Sequence, residues 1–178
     1  LPALARELGV AKLWVKDESK RFGLNAFKAL GGSWAIARWM GEKLGLEGDK
    51  LTFPAITDPK AREKLGETTF VTATDGNHGR GVAWAARELG CRAVVYLPKG
   101  SAQERLDNIL ALGAQAEITD LNYDDAVRLA TCKSEESGWV LIQDTAWPGY
   151  EQIPAWIMEG YTTLAGEIFD QLTEAGEE

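Results

Sequence analysis

A helix–glycine–strand unit used three times in succession restricts this chain more than any other feature. "AWAARELGCRAVVYLP", "SAQERLDNILALGAQAEIT" and "NYDDAVRLATCKSEESGWVLIQD" each run from a helical apolar pattern, through a glycine, into a short strand-forming stretch. The glycines are Gly90, Gly113 and Gly138, 23 and 25 residues apart. A helix that ends on a left-handed residue favours glycine there, because a Cβ is strained at positive φ. The first unit puts Val82, Ala85, Ala86 and Leu89 on one helix face and predicts a strand over 93–97. The second opens with Ser101 and Glu104 in capping-box spacing and predicts a strand over 116–119. The third predicts a strand over 140–143, and "TTFVTAT" (68–74) supplies one ahead of the first helix. Strands that alternate with helices at this spacing build right-handed βαβ units and a parallel sheet. Residues 68–144 are therefore predicted to form a compact four-stranded α/β unit.

The flanks read differently. Residues 13–16 suggest a strand, and 25–44 a helix with Leu30, Trp34, Ala37, Met40 and Leu44 on one face and Asn25 as its N-cap. The segment 45–67 is rich in glycine, proline and charge and predicts a connection with one short helical turn. After residue 144, "TAWPGYEQIP" predicts a loop and 154–172 a helix. The chain opens at Leu1 in a helix leading towards a strand and closes in a helix with no strand after it, which predicts a piece of a longer protein.

Composition narrows the function classes. With 45% hydrophobic residues and seven tryptophans the chain can bury a core. Its net charge of −8 and scattered basic residues argue against a nucleic-acid or anionic-membrane surface. No apolar run approaches the ~20 residues of a membrane span. Cys91 and Cys132 fit neither a metal spacing nor a disulfide framework and read as buried thiols of a reducing compartment, with the cytoplasm as the expected location.

Open parallel sheets bind ligands at the carboxyl ends of their strands. "KDESKRFGLNAFK", "TDGNHGRG" and "QDTAWPGYE" all fall at such ends. By itself "ATDGNHGRG" reads first as a plain turn, and alternatively as a loop whose N–H groups, at the start of a helix, hold a carboxylate or phosphate. His78, the one histidine, reads as a loop or packing residue. Lys28 is odder. Helices favour anions in the first turn, yet a lysine stands there among small and apolar neighbours. Burial and the helix terminus both work against an ammonium at that position. A neutral amine is what Schiff-base chemistry requires, and Phe27 beside it is placed to pack on a flat ring.

"LWVKDESKRFGLNAFKALGGSWAIA" followed by "TATDGNHGRGVAWAARELG" resembles the fold-type II pyridoxal-phosphate enzymes, the group of threonine deaminase, serine dehydratase and the tryptophan synthase β chain. Those proteins carry a lysine in an "[ST]-x-K" or "x-F-K" context and then an "S-x-G-N-H/A" loop. Within the group, the extended lysine block, the aspartate of "TDGNHGRG" and "QDTAWPGYEQIPAWIMEGY" are similar to the diaminopropionate ammonia-lyases. The resemblance implies pyridoxal 5'-phosphate as cofactor, attached as a Schiff base to Lys28. It implies that Asn77 bonds the ring hydroxyl and that Thr74, Gly76 and His78 lie in the loop gripping the substrate carboxylate. Asp75 stands where the dehydratases have serine; it would pair with a second substrate ammonium and act as base for one enantiomer, Lys28 serving the other. Asp144 matches a second acid near the substrate amine.

The implied reaction is α,β-elimination of 2,3-diaminopropionate to pyruvate and ammonia by a homodimer acting on a small amino acid. The implied fold is an incomplete large domain plus a small four-stranded α/β domain, with 1–50 in the large domain, 51–145 the small one, and 146–178 returning to the large one. Family members run well beyond this length and hold the cofactor phosphate in a glycine-rich loop, whereas here the only adjacent glycines are Gly31 and Gly32. Three alternatives stand beside this reading: a serine/threonine dehydratase-type lyase, a non-catalytic α/β fragment, and a nucleotide-binding Rossmann module, for which "GNHGRG" lacks the G-x-G opening.

Overall fold

In the computed structural model, which describes residues 1–177, the repeat becomes four parallel strands. These are β1 (Thr69–Ala73), β2 (Arg92–Leu97), β3 (Gln115–Ile118) and β4 (Val140–Leu141), in the order β3-β2-β1-β4. Gly90, Gly113 and Gly138 have φ of +60°, +83° and +66°, the left-handed conformation that their place between helix and strand demands. The helices are α1 (Pro2–Glu7), α2 (Lys28–Leu44), α3 (Phe53–Thr57), α4 (Pro59–Leu65), α5 (Asn77–Glu88), α6 (Gln103–Leu110), α7 (Tyr123–Ser137) and α8 (Gln152–Glu174).

Alternate strand residues serve opposite faces of the sheet. Phe70, Val95, Leu97 and Ile142 enter one core cluster with the apolar faces of α2, α5 and α6 and with Ile157 of α8. Val71, Ala73, Val94, Tyr96 and Leu141 enter another, covered by Ala126 and Ala130 of α7. Both faces are thus covered, which is why β1 is buried at every position. Each fully buried Phe, Ile or Leu of this core contributes on the order of 1.5–3 kcal/mol.

Glycines let the helices around α2 approach to backbone contact. A Cβ on Gly31 would lie 2.8 Å from the Ile157 carbonyl oxygen, and one on Gly160 2.6 Å from that of Leu30, so α8 crosses α2 at backbone contact there. A Cβ on Gly81 would lie 2.9 Å from Ala29 Cα, so α5 meets the first turn of α2 just as closely. The amino end of α2 is held from both sides.

Several local expectations fail, each for a physical reason. Residues 13–16 form no strand: a strand is held by its ladder, and this segment has none, with Trp14 and Val15 58% and 66% exposed. It is tied down by charge instead, through Lys16 and Arg21 to Glu18 and to Glu167 of α8. Asn25 does not cap α2. It takes φ +53°, and the helix begins at Lys28 behind Phe27, with no side-chain cap. The segment 45–67 is more helical than its composition suggests, because Thr52 and Asp58 cap α3 and α4 at prolines in the first turn. The Ser101–Glu104 box is unused, since α6 starts at Gln103 behind Ala102. Cys132 is exposed rather than buried, and Cys91 is half-buried. Among the described residues no helix is long and apolar enough to cross a membrane.

Candidate active site

The register of β1 against β4 brings two chain segments together at the carboxyl edge of the sheet. Phe70 pairs with Val140 and Val71 with Leu141, and the Ile142 N–H continues the ladder to the Val71 carbonyl. The loop after β1 and the residues after β4 therefore emerge side by side, and the start of α2 packs onto them. Between them lies a cleft of about 620 Å³ lined by Lys28, Thr74, Asp75, His78, Pro98, Tyr123, Asp144 and Thr145. A second groove, of about 530 Å³ between α2, α3, α5 and α8, is mostly apolar. The first is the chemical candidate, because an amine and two carboxylates meet there.

Lys28 Nζ donates to Asp144 Oδ2 at 2.6 Å. Sequence reasoning supplied Lys28 with burial and a helix terminus but with no counter-ion, since its partner lies 116 residues away. Its side chain is 36% exposed, less shielded than its apolar neighbours implied. Burial opposes the charged form of Asp144, but the pull of neighbouring His78 and the hydrogen bond and charge of Lys28 outweigh it. The carboxyl accordingly lies below the usual carboxylate range.

His78 is not a loop residue. It sits in the first turn of α5 with its ring 2% exposed. Nε2 lies 2.7 Å from the Ile142 carbonyl oxygen; a carbonyl only accepts, so Nε2 carries the proton. Burial pushes the imidazole below its ordinary value, against the pull of Asp144 and of the Ile142 carbonyl.

Thr74 shapes the loop. Its Oγ1 accepts from the Gly76 N–H at 3.0 Å and the Gly79 N–H at 3.1 Å. Gly76 has φ +148°, a conformation side chains rarely adopt, and a Cβ on Gly79 would collide with Thr74 Cγ2. The N–H groups of Asp75, Asn77 and His78 have no acceptor among the described residues, so the amino end of α5 is open to an anion. Asp75 is 79% exposed at the mouth of the cleft, 3.7 Å from Arg105 Nη1, which also donates to the Asp75 carbonyl. Asn77 and Phe27 do not line the cleft. Asn77 is exposed at the start of α5, and Phe27 stands edge-on to Tyr161, with ring centroids 5.1 Å apart.

Arg105, Gln143, Tyr123 and Thr145 were missed. Gln143 is wholly inaccessible; its Oε1 accepts from the Ala73 N–H and Thr72 Oγ1, both at 3.0 Å, and its Nε2 donates to the Tyr123 hydroxyl at 3.1 Å. A glutamine inside a predicted strand, next to Asp144 in "VLIQD", was the available signal.

These residues fit part of a pyridoxal phosphate site. They offer an amine to an aldehyde and a row of N–H donors to a carboxylate, and the bare His78 Nδ1 shows that the site's polar groups are not all satisfied within the chain. A cradle for the phosphate is not among the described residues. The sequence pattern of the pyridoxal-phosphate dependent enzymes matches residues 1–176. The chain belongs to this pyridoxal-phosphate family.

Within the family the chain is 58% identical over 174 residues to the diaminopropionate ammonia-lyase of Salmonella typhimurium, covering 98% of this chain and 43% of that protein. The solved apo structure of the Escherichia coli diaminopropionate ammonia lyase superposes with a TM-score of 0.92 at 55% identity, over 100% of this chain and 47% of that one. The same enzyme in complex with an aminoacrylate-PLP azomethine reaction intermediate superposes with a TM-score of 0.90 at 56% identity, over 100% and 44%. The processed form of threonine deaminase isoform 2 from Solanum lycopersicum is more distant, with a TM-score of 0.59 at 26% identity, over 92% and 38%. The α/β fold with its parallel sheet is that of the fold-type II enzymes. The chain spans less than half the length of the curated relatives it matches.

Proposed function

We propose that the protein is a pyridoxal-phosphate-dependent carbon–nitrogen lyase that converts 2,3-diaminopropionate to pyruvate and ammonia, and that this chain carries its amine-bearing part. The observation behind this reading is the meeting of Lys28, Asp144 and Asp75 on one cleft beside the open amino end of α5. The identity to relatives that bear the diaminopropionate ammonia-lyase name supports it. When bound, pyridoxal phosphate supplies an aldehyde for covalent attachment and a ring that stores the electron pair left by loss of the α-proton.

The residues divide the remaining work. Lys28 Nζ is the attachment point, and Asp144 keeps that amine aimed into the cleft. The N–H groups at the start of α5, held in place by Thr74 and Gly76, receive the substrate carboxylate. Asp75 at the mouth pairs with the second ammonium of a diamino acid, a group that serine and threonine lack, and serves as base for one enantiomer with Lys28 serving the other. Asn77 as partner of the ring hydroxyl is assigned from the resemblance, and Phe27 on the ring face from its place beside Lys28. The homodimer rests on the resemblance, and the cytoplasmic location on the cysteine usage. The packing of α8 on α2 supports a division in which 146–178 returns to the part containing 1–50, with 51–145 as a separate small domain. The test is to supply the full-length protein with pyridoxal phosphate and each enantiomer of 2,3-diaminopropionate and to assay pyruvate. Production of pyruvate is expected; none from either enantiomer, with other amino acids consumed, overturns the assignment.

A further inference from the structure

We propose that Arg105 is a positioning residue that pins the Asp75–Gly76 peptide from outside the cleft, holding the Asp75 carboxylate at the mouth with its oxygens open to the second substrate ammonium. The proposal deepens the reading of Asp75 as that ammonium's partner and as base for one enantiomer, and it rests on that reading. Arg105 stands in α6, 30 residues from Asp75 and outside the cleft lining. Its Nη1 donates to the Asp75 main-chain carbonyl. Its stem lies against the next residue, where a Cβ on Gly76 would come 2.9 Å from Arg105 Cδ. The peptide joining Asp75 to Gly76 is trans, so its C=O and N–H point in opposite directions. The carbonyl goes to Arg105, and the N–H goes to Thr74 Oγ1 at 3.0 Å. Both polar ends of one peptide are therefore held, one from α6 and one from the residue after β1.

The choice of acceptor carries the argument. A guanidinium beside an aspartate commonly closes on the carboxylate, often through two parallel bonds. Here Nη1 takes the carbonyl and stays 3.7 Å from Oδ2, so neither carboxylate oxygen has a hydrogen-bond partner among the described residues. Asp75 thus meets a cation that fixes its backbone without occupying its side chain. A carboxylate that receives an ammonium, or a proton from carbon, must keep its lone pairs open. Gly76, at φ +148°, has no Cβ to restrict it, so the peptide before it would swing unless held from outside. The bland alternative is a surface ion pair, since the two side chains are 53% and 79% exposed. Such a pair contributes little, and it accounts for neither the carbonyl bond nor the stem seated on Gly76.

Arg105→Met keeps a stem over Gly76 and removes the donor, whereas Arg105→Lys keeps a donor and the charge. Each is made in the full-length protein loaded with pyridoxal phosphate, and kcat and KM for pyruvate formation are measured with both enantiomers of 2,3-diaminopropionate. In the same assay Asp75→Asn identifies the enantiomer that Asp75 serves, as the one whose kcat falls further. Arg105→Met is expected to shift the ratio of the two kcat values at least about tenfold against that enantiomer, since misplacing a reacting group by about 1 Å can cost ~10²-fold. KM is expected to rise for both, because both carry the ammonium and the carboxylate that this loop receives. Arg105→Lys is expected to recover most of the ratio. The ratio is taken within one preparation, so a loss of folded protein cancels. An unchanged ratio in Arg105→Met, or one shifted as far in Arg105→Lys, overturns the proposal. Loss of both activities together with the melting transition assigns Arg105 to the fold alone and overturns it too. If Asp75→Asn slows neither enantiomer selectively, the reading of Asp75 itself fails and the proposal with it, a result distinct from those of the Arg105 variants.

Discussion

Replacing Gly81 with alanine puts a methyl carbon 2.9 Å from Ala29 Cα, 3.0 Å from Ala29 N and 3.2 Å from Lys28 C. Carbon contacts are comfortable at about 3.5–4.0 Å, so α5 and α2 must separate by roughly 0.5–1 Å. Two effects oppose each other. Alanine is favoured over glycine inside a helix by about 1 kcal/mol. Overpacking costs about 1–3 kcal/mol. The atoms met are backbone and cannot rotate aside, so the clash wins, with a net loss of up to about 2 kcal/mol and a fall of up to a few degrees in melting temperature. Lys28 is among the residues displaced, and a misplacement of about 1 Å in a reacting group can cost ~10²-fold in rate.

Gly32, on the opposite side of the same contact, provides the control. Its added Cβ would meet Val82 Cγ2 and Val82 N at 3.5 Å, an ordinary distance, so helix propensity decides and Gly32→Ala is expected to be neutral or stabilising by up to about 1 kcal/mol. Thermal unfolding by circular dichroism reports stability, and cofactor attachment at Lys28 reports the site. The reasoning is refuted if Gly81→Ala melts at or above the parent, or if the two alanines shift stability in the same direction.

Four further outcomes are expected. Lys28→Ala removes covalent attachment of pyridoxal phosphate, read by absorbance and by mass after borohydride reduction; a modified lysine elsewhere at parent yield would sink the role given to Lys28. Asp75→Ser lowers diaminopropionate turnover in a pyruvate assay, and undiminished turnover shows that Asp75 does not select the second ammonium. Gln143→Leu strands the Ala73 N–H inside the sheet and lowers the urea midpoint by the equivalent of about 1–3 kcal/mol, so an unchanged midpoint contradicts the network drawn around it. Glu167 is held at about 2 by its bonds to Arg21 and Lys16, below its ordinary 4.5. A lowered carboxyl stabilises the fold above its ordinary value and loses that contribution as pH falls towards the lowered one. Glu167→Gln should therefore lose less stability than the parent between pH about 4.5 and about 2, and equal losses in urea titrations at both ends would refute the assignment.

Much of the site was legible as local pattern. Lys28 stood out as a cation in the wrong turn of a helix, and the glycine and turn residues of 74–79 marked a loop ahead of a helix. Asp144 fell at the end of a predicted strand. What those residues do to one another was not legible. The partner of Lys28 is 116 positions away, and the Ile142 carbonyl that His78 bonds is 64 positions away. The reverse failure occurred at residues 13–16, where a strand-like composition met no neighbouring strand.

The sequence by itself determined the repeating unit. Helix periodicity, a left-handed glycine and a β-rich stretch are properties of a few adjacent residues, and their recurrence dictates right-handed crossovers and a parallel sheet. Only the tertiary structure decided that β4 lies beside β1, that glycines bring α5 and α8 to backbone contact with α2, and that Lys28, Asp144 and His78 form one line of polar atoms. Backbone preferences act over a few residues and can be read along the chain, whereas ion pairing, burial and steric contact depend on distance in space, which exists only once the sheet has closed.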